Sequence, residues 1–245
     1  YVTELGEKET ATSRLNFSQS FNGLGCLFAT FVVGQFFFSG HFEDNHVAVP
    51  YTILGILVLV ITLIFSRINL PEIKHAETEE DKIKGTRIMK LFRHHPMFVF
   101  GLFALLAYEV AEISINSYFI NFVTGQGWLD DNTASIVLTI ALGFFMVGRF
   151  VGSWLMRHIR AEIMLFVCAV ASVISMVVVL LNIGRFSMVA IIINYLFEAI
   201  MFPTIFSLAL NGLGNLKKSA ASLLMMTPIG GCGFLLMGII ADNAN

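Results

Sequence analysis

Residues 96–122 read PMFVFGLFALLAYEVAEISINSYFINF, and the fold turns on this stretch. A helix rises 1.5 Å per residue, so about 20 apolar residues cross a bilayer core about 30 Å thick. The stretch is longer than that and carries no Lys or Arg, only Glu109 and Glu112. Its apolar residues do not alternate, and the run is too long for a strand. It predicts a transmembrane helix.

Six more stretches of this kind flank it: Leu15 to Phe38, Val47 to Phe65, Ala134 to Met156, Ile163 to Leu181, Ser187 to Leu210 and Ala220 to Ala241. The fold class is therefore an all-α integral membrane protein with seven transmembrane helices. Composition agrees. Of 245 residues, 56% are hydrophobic and 13% charged, and the mean hydropathy is +0.79. A soluble domain carries about 25% charged residues. The 24 phenylalanines against 5 tyrosines and 2 tryptophans suit a chain that faces lipid. A net charge of −2 gives no broad attraction to nucleic acid. Cys26, Cys168 and Cys232 sit inside apolar runs and read as packed thiols rather than disulfides or metal ligands.

Seven helices put alternate connections on opposite sides of the membrane. One side holds the N-terminal segment, the loop from Arg67 to His95, the loop after the fourth span and the loop after the sixth. Together with Arg149 near the end of the fourth span, they carry 14 of the 15 Lys and Arg, all but Arg185. Basic loops stay cytoplasmic, so the N-terminus of this chain is expected inside and its C-terminus outside. The loop from Arg67 to His95 mixes charges and is bounded by Pro71 and Pro96. It reads as a cytoplasmic linker between residues 1–66 and residues 96–245, with a short amphipathic helix near Ile88 to Phe92. The chain begins without Met, has no basic and apolar leader, and is expected to be cut from a longer sequence at both ends.

A carboxylate at mid-membrane costs at least ~2.5 kcal/mol, so it faces a bundle interior or a hydrated cavity. Helical spacing puts Glu109, Glu112 and Asn116 on one face, Asn194 and Glu198 on another, and Gln19 with Asn22 on a third. Such stripes either line a cavity for a polyhydroxylated ligand or hold helices together by hydrogen bonds. Pro203 frees a carbonyl one turn back and bends its helix. Pro228, Gly230, Gly231 and Gly233 permit close packing or local unwinding. Arg149, near the end of its helix, either pairs with a carboxylate or helix end across the bundle or snorkels to the interface. His41, Glu43, Asp44 and His46 are a weak metal cluster, and no metal site is expected. No nucleophile–base pair, phosphate loop or dinucleotide fingerprint occurs, so the chain is not read as an enzyme.

Four motifs in order carry a family likeness: Tyr1-Val2-Thr3 and Leu5-Gly6 with Arg14 through Asn22; Gly148 through Leu155; Phe202 through Leu208; and Gly230-Gly231 with Gly238 through Asp242. In these the chain resembles the fucose/hexose:proton symporter family of the major facilitator superfamily. The resemblance implies a fold of two six-helix bundles, of which this chain supplies helices five to eleven: the end of the N-terminal bundle (residues 1–66), the cytoplasmic linker (67–95) and most of the C-terminal bundle (96–245). It implies a monosaccharide of fucose, glucose or galactose type, carried by alternating access through a bacterial inner membrane by a protein that is monomeric when full length. The proton is the coupling ion, and no other cofactor is implied. Gln19, Asn22, Glu112, Asn116, Glu198 and Phe202 would bind substrate, and Gly148, Arg149 and Gly152 would form a gate. The proton-linked carboxylates of the family lie on helices outside this chain. Glu112 resembles the glucose/galactose branch more than the fucose branch, and Glu198 is a further departure from the fucose branch. A seven-helix receptor and an intramembrane enzyme are the competing classes, and a transporter fragment without activity of its own is a third reading.

In a cysteine-free background, an impermeant maleimide added outside intact cells is expected to label Gln126→Cys and not Asn215→Cys. The reverse pattern inverts the topology.

Overall fold

The computed structural model describes residues 10–38, 48–67, 89 and 91–243, with the side chains of these except residues 26, 29–38, 48–50 and 241–242. Among the described residues it is helical, without strands. The helices are α1 (Ala11–Phe38), α2 (Ala48–Phe65), α3 (Pro96–Gly125), α4 (Asp131–Leu155), α5 (Ala161–Leu180), α6 (Arg185–Glu198), α7 (Met201–Ala209), α8 (Lys217–Leu224) and α9 (Gly233–Asn243). Short 3-10 turns, Gly214–Leu216 and Thr227–Cys232, precede and follow α8.

Local chemistry sets the ends. Pro96 opens α3, where its missing N–H is an orphan in any helix. Asp130 caps α4 by accepting from the Thr133 amide at 3.2 Å and the Thr133 hydroxyl at 2.6 Å. These bonds hold its carboxyl below the usual carboxylate range. The cap is therefore in place above the ordinary carboxylate range and weakens as pH falls through the lowered folded value. Gly184 takes φ +53 in the turn before α6, a conformation glycine adopts at no steric cost.

The partition of residues is inverted relative to a water-soluble domain. Leu180, Phe186, Phe100 and Phe166 are 83%, 75%, 74% and 70% exposed, while Asn16, Ser20, Asn194 and Thr204 are at 0%. Apolar residues outside and polar residues inside is the arrangement lipid demands. Among the described residues, five segments are long and apolar enough to cross a membrane: Pro96–Gly125, Asp131–Leu155, Ala161–Leu180, Arg185–Ala209 and Gly214–Ile240. The expected seven is thus approximate. Helix α1 is long, at 28 residues, but rich in Ser and Asn. The described apolar part of α2, Tyr51–Phe65, is shorter, and residues 51–67 are exposed throughout.

Two expected spans are interrupted. The sixth divides into α6 and α7 at Ala199 and Ile200, and the seventh is broken by the turn Thr227–Cys232. Both breaks press on neighbours. Residues 227–232 pack on α3, where a Cβ on Gly230 would lie 2.8 Å from the Leu106 carbonyl oxygen. Along α3, two apolar cores separate: Phe98 and Leu105 with Phe206 and Ala209 at one end, Phe119 and Val123 with Ile191 and Tyr195 at the other. The residues between them in sequence, 108–112 and 198–204, form the polar layer. Cys168 is buried and Cys232 exposed, and both are free thiols; the Cys26 side chain, like the His41–His46 cluster, lies outside the described residues.

Gly148 lets α4 meet the α6–α7 junction. A Cβ there would sit 2.8 Å from the Leu196 oxygen and 2.9 Å from Ala199 Cβ. Gly148→Val is expected to cost about 1–3 kcal/mol by overpacking, seen as a lower melting temperature of the detergent-solubilised protein. Gly143→Ala, whose new Cβ would meet only Leu27 Cδ1 at 3.6 Å, serves as the control that does not move.

Candidate functional site

The site starts from Pro203. A proline cannot donate to the carbonyl four residues back, so the Ala199 oxygen loses its helical partner. The helix breaks there, α7 begins at Met201, and Pro203 falls in its first turn, where amides need no intrahelical acceptor. An open backbone at membrane depth is tolerated only when protein covers it. Ala199 and Ile200 are 0% and 2% exposed. Two side chains meet the backbone at the break, one of them on the freed Ala199 carbonyl. Arg149 Nε donates to the Ala199 oxygen at 3.0 Å, and the Tyr108 hydroxyl donates to the Glu198 oxygen at 3.0 Å.

Arg149 does not reach for the interface as a snorkelling side chain would. It is 5% exposed. Its Nη1 donates to the backbone oxygen of Gln19 in α1 at 2.6 Å, and its guanidinium lies 4.5 Å from the centre of the Phe145 ring. A guanidinium presents five donors in a fixed fork, which lets one side chain tie α4 to α1 and to the α6–α7 break together. Glu112 in α3 lies within its electrostatic reach and interacts with Tyr108 one turn earlier.

Glu198 is more enclosed, at 4% exposure. Its Oε1 accepts from Asn194 Nδ2 at 2.6 Å, and Asn194 Oδ1 accepts from the Ser172 hydroxyl of α5 at 2.6 Å. Glu198 Oε2, Asn116 Oδ1 and the Tyr195 hydroxyl are buried with no hydrogen-bond partner among the described residues. Glu198 and Tyr108 also line an apolar groove of about 520 Å³ between α3, α5 and α7.

Helix α1 meets α4 and α7 along a polar seam. The Ser13 hydroxyl donates to the Ser153 carbonyl at 2.8 Å, and the Ser153 hydroxyl returns to the Ser13 carbonyl at 2.9 Å. Thr12 and Ser207 share a hydrogen bond of 2.7 Å. Asn16 reaches Thr204 at 3.3 Å. A second groove, about 580 Å³, opens beside the start of this seam and is lined by Arg14, Phe17, Phe21 and Arg157.

The predicted residues divide. Glu112, Arg149, Glu198 and Phe202 converge on one layer, with Phe202 tilted against Tyr108 at 6.3 Å and stacked on Phe206 at 6.3 Å. Gln19 joins it through its backbone oxygen. Asn22 is exposed and Asn116 lies one turn beyond Glu112; neither lines the two grooves. Gly148 and Gly152 face the α6–α7 junction as close-packing residues, Gly152 against Ile200. Sequence reasoning missed Tyr108, Ser172 and the seam-facing Ser13, Asn16 and Ser20. Their spacing, continued by Gly23, follows the three-and-four pattern of one helix face, and that was the available signal.

Comparison with known proteins places this geometry. The Major Facilitator Superfamily profile matches residues 1–238. A glucose/galactose transporter of Brucella abortus is 33% identical over 252 residues, covering 99% of this chain and 60% of that protein. The L-fucose-proton symporter of Haemophilus influenzae is 27% identical over 270 residues, covering 99% and 62%. The crystal structure of FucP in the outward conformation superposes with a TM-score of 0.81 at 25% identity, covering 99% of this chain and 64% of that one. The chain thus spans about 60% of the length of the curated relatives it matches. It belongs to the Major Facilitator Superfamily.

Proposed function

We propose that this chain is the greater part of a proton-coupled monosaccharide transporter of glucose, galactose or fucose type. The observation that carries the reading is the buried polar layer of Tyr108, Glu112, Arg149 and Glu198 set between two apolar cores at mid-span. Polar groups at this depth are costly and mark substrate or ion pathways. The similarity to a glucose/galactose transporter and to L-fucose-proton symporters supports a sugar as the cargo and a proton as the coupling ion.

Glu112, Asn116, Gln19 and Asn22 are assigned to the sugar hydroxyls, because carboxylates and amides offer paired acceptors and donors to such groups. Phe202 supplies an apolar face for the sugar ring. Glu198 is engaged by Asn194 and set behind Tyr108, and we take it out of direct sugar contact. Arg149 is the gate: it bonds the α1 backbone in this state and must release it for α1 to part from α4. Gly148 and Gly152 are assigned to the same gate through the other side of α4, where they let it pack closely on the α6–α7 break that Arg149 also bonds. The protein works in the bacterial inner membrane as a monomer, with Tyr1 on the cytoplasmic side and Asn245 on the periplasmic side. The distribution of basic residues supports that orientation.

Two substitutions test this in the complete gene product. Glu112→Gln is expected to alter the sugar affinity or the pH profile of uptake; identical uptake at every pH removes Glu112 from the mechanism. Arg149→Lys keeps the charge but loses the fork that serves two carbonyls. Uptake is expected to fall about tenfold or more, because a hydrogen bond from a charged group contributes roughly 1.5–3 kcal/mol. Undiminished uptake by Arg149→Lys rejects the gate assignment.

A further inference from the structure

Beyond the sugar-contacting residues, the polar layer holds a set of charges that does not balance. Among the described residues it contains one cation, Arg149. Against it stand the carboxylates Glu112 and Glu198, with Glu109 a third. Glu109 is 8% exposed and lies on the far side of Glu112, 3.5 Å from the position a Cβ would take on Gly230. A low-dielectric layer does not hold unbalanced charge; a carboxyl there takes a proton or a counter-ion.

Hydrogen bonding singles out Glu198. Ser172 donates to Asn194 Oδ1, so the Asn194 amide nitrogen must face Glu198 Oε1. That leaves one carboxylate oxygen held and the other, Oε2, enclosed without a donor among the described residues. An ionised carboxylate needs donors on both oxygens. A protonated one has its carbonyl oxygen served by Asn194 and leaves at Oε2 a neutral hydroxyl rather than a charge, and burying a neutral polar group costs far less than burying an ion. The groups facing it fit this. From α3 come Tyr108, whose hydroxyl is spent on the Glu198 backbone oxygen, and Glu112, a like charge. From α4 comes Arg149, bound to the next carbonyl, and α5 presents the neutral Ser172. Tyr195, on the same helix, adds a neutral hydroxyl.

We propose that Glu198 is a proton-carrying residue of the coupling cycle in the C-terminal helices, with Asn194 and Ser172 as the residues that position it. The bound species is a single proton, taken up as the carboxylate becomes the acid and released when the layer opens to water. The neighbouring bond of Tyr108 to the Glu198 backbone links this event to the α6–α7 break and so to Arg149. The proposal rests on the transport reading.

The test uses the complete protein in proteoliposomes. The parent must first take up a hexose or deoxyhexose; if it takes up none, the transport reading itself fails before any variant is made. In the parent, sugar addition is expected to alkalinise the medium; sugar entry without proton movement overturns the proposal and leaves transport standing. In Glu198→Gln the ratio of protons to sugar is expected to fall toward zero, and in Glu198→Asp to recover in part. An unchanged ratio in Glu198→Gln overturns the assignment. Independently of any variant, dicyclohexylcarbodiimide reacts with protonated carboxyls within membranes. The parent is expected to carry the adduct on the peptide containing Glu198, formed faster at lower pH; a peptide unmodified at every pH also overturns it.

Discussion

A carbonyl with no helical donor, in surroundings without water, is the constraint from which the centre of this protein follows. Pro203 creates it at Ala199. The bilayer offers no solvent to satisfy it, and an unsatisfied backbone group there costs several kcal/mol. The polypeptide therefore brings Arg149 from α4 and Tyr108 from α3 to the break. Once Arg149 is buried, its remaining donors need acceptors, and one is the backbone of α1 at Gln19. A single proline thus sets the position of a cation, the contact between α1 and the later helices, and the enclosure of Glu198.

Small residues make this arrangement sterically feasible. Gly148 and Gly152 lie one turn apart on α4 and accept the junction at Leu196, Ala199 and Ile200. Lipid supplies no hydrophobic drive between helices, so close backbone approach and hydrogen bonds supply the association. On the α1 side the same rule yields a different surface. There, hydroxyls pair with carbonyls and with each other, and the seam contains Ser13, Ser153, Thr12 and Ser207 rather than interlocked aliphatic side chains.

Much of this was readable from residue patterns. The apolar runs near Pro96, Ala134 and Ile163 become α3, α4 and α5 with ends shifted by only a few residues. The Pro203 rule predicted a bend and a freed carbonyl. The rest depended on partners. In α1, polar residues occur on more than one face, so pairing Gln19 with Asn22 by helical spacing and family likeness left out Ser13 and Asn16, which are buried in the packed structure. The glycines of α4 read as a gate from a family likeness, while their contacts are those of helix packing. The role of Tyr108 was not legible, because a tyrosine in an apolar run looks like core until its hydroxyl is seen to meet a broken helix.

The seam bears on how the chain is made. Ser13 and its partner Ser153 are separated by 140 residues. At about 5–20 residues per second, synthesis leaves α1 in place for roughly seven to thirty seconds before α4 exists. During that wait the polar face of α1 is not bare. Asn16 donates to the Thr12 carbonyl at 3.0 Å, and Ser20 to the Asn16 carbonyl at 3.0 Å, both bonds internal to the helix. The same side chains that later join two helices can first hold their own backbone, so α1 enters the bilayer as a self-contained segment. Assembly then adds Thr204 to the partners of Asn16 while both internal bonds stay in place, and no stranded polar group has to be rescued.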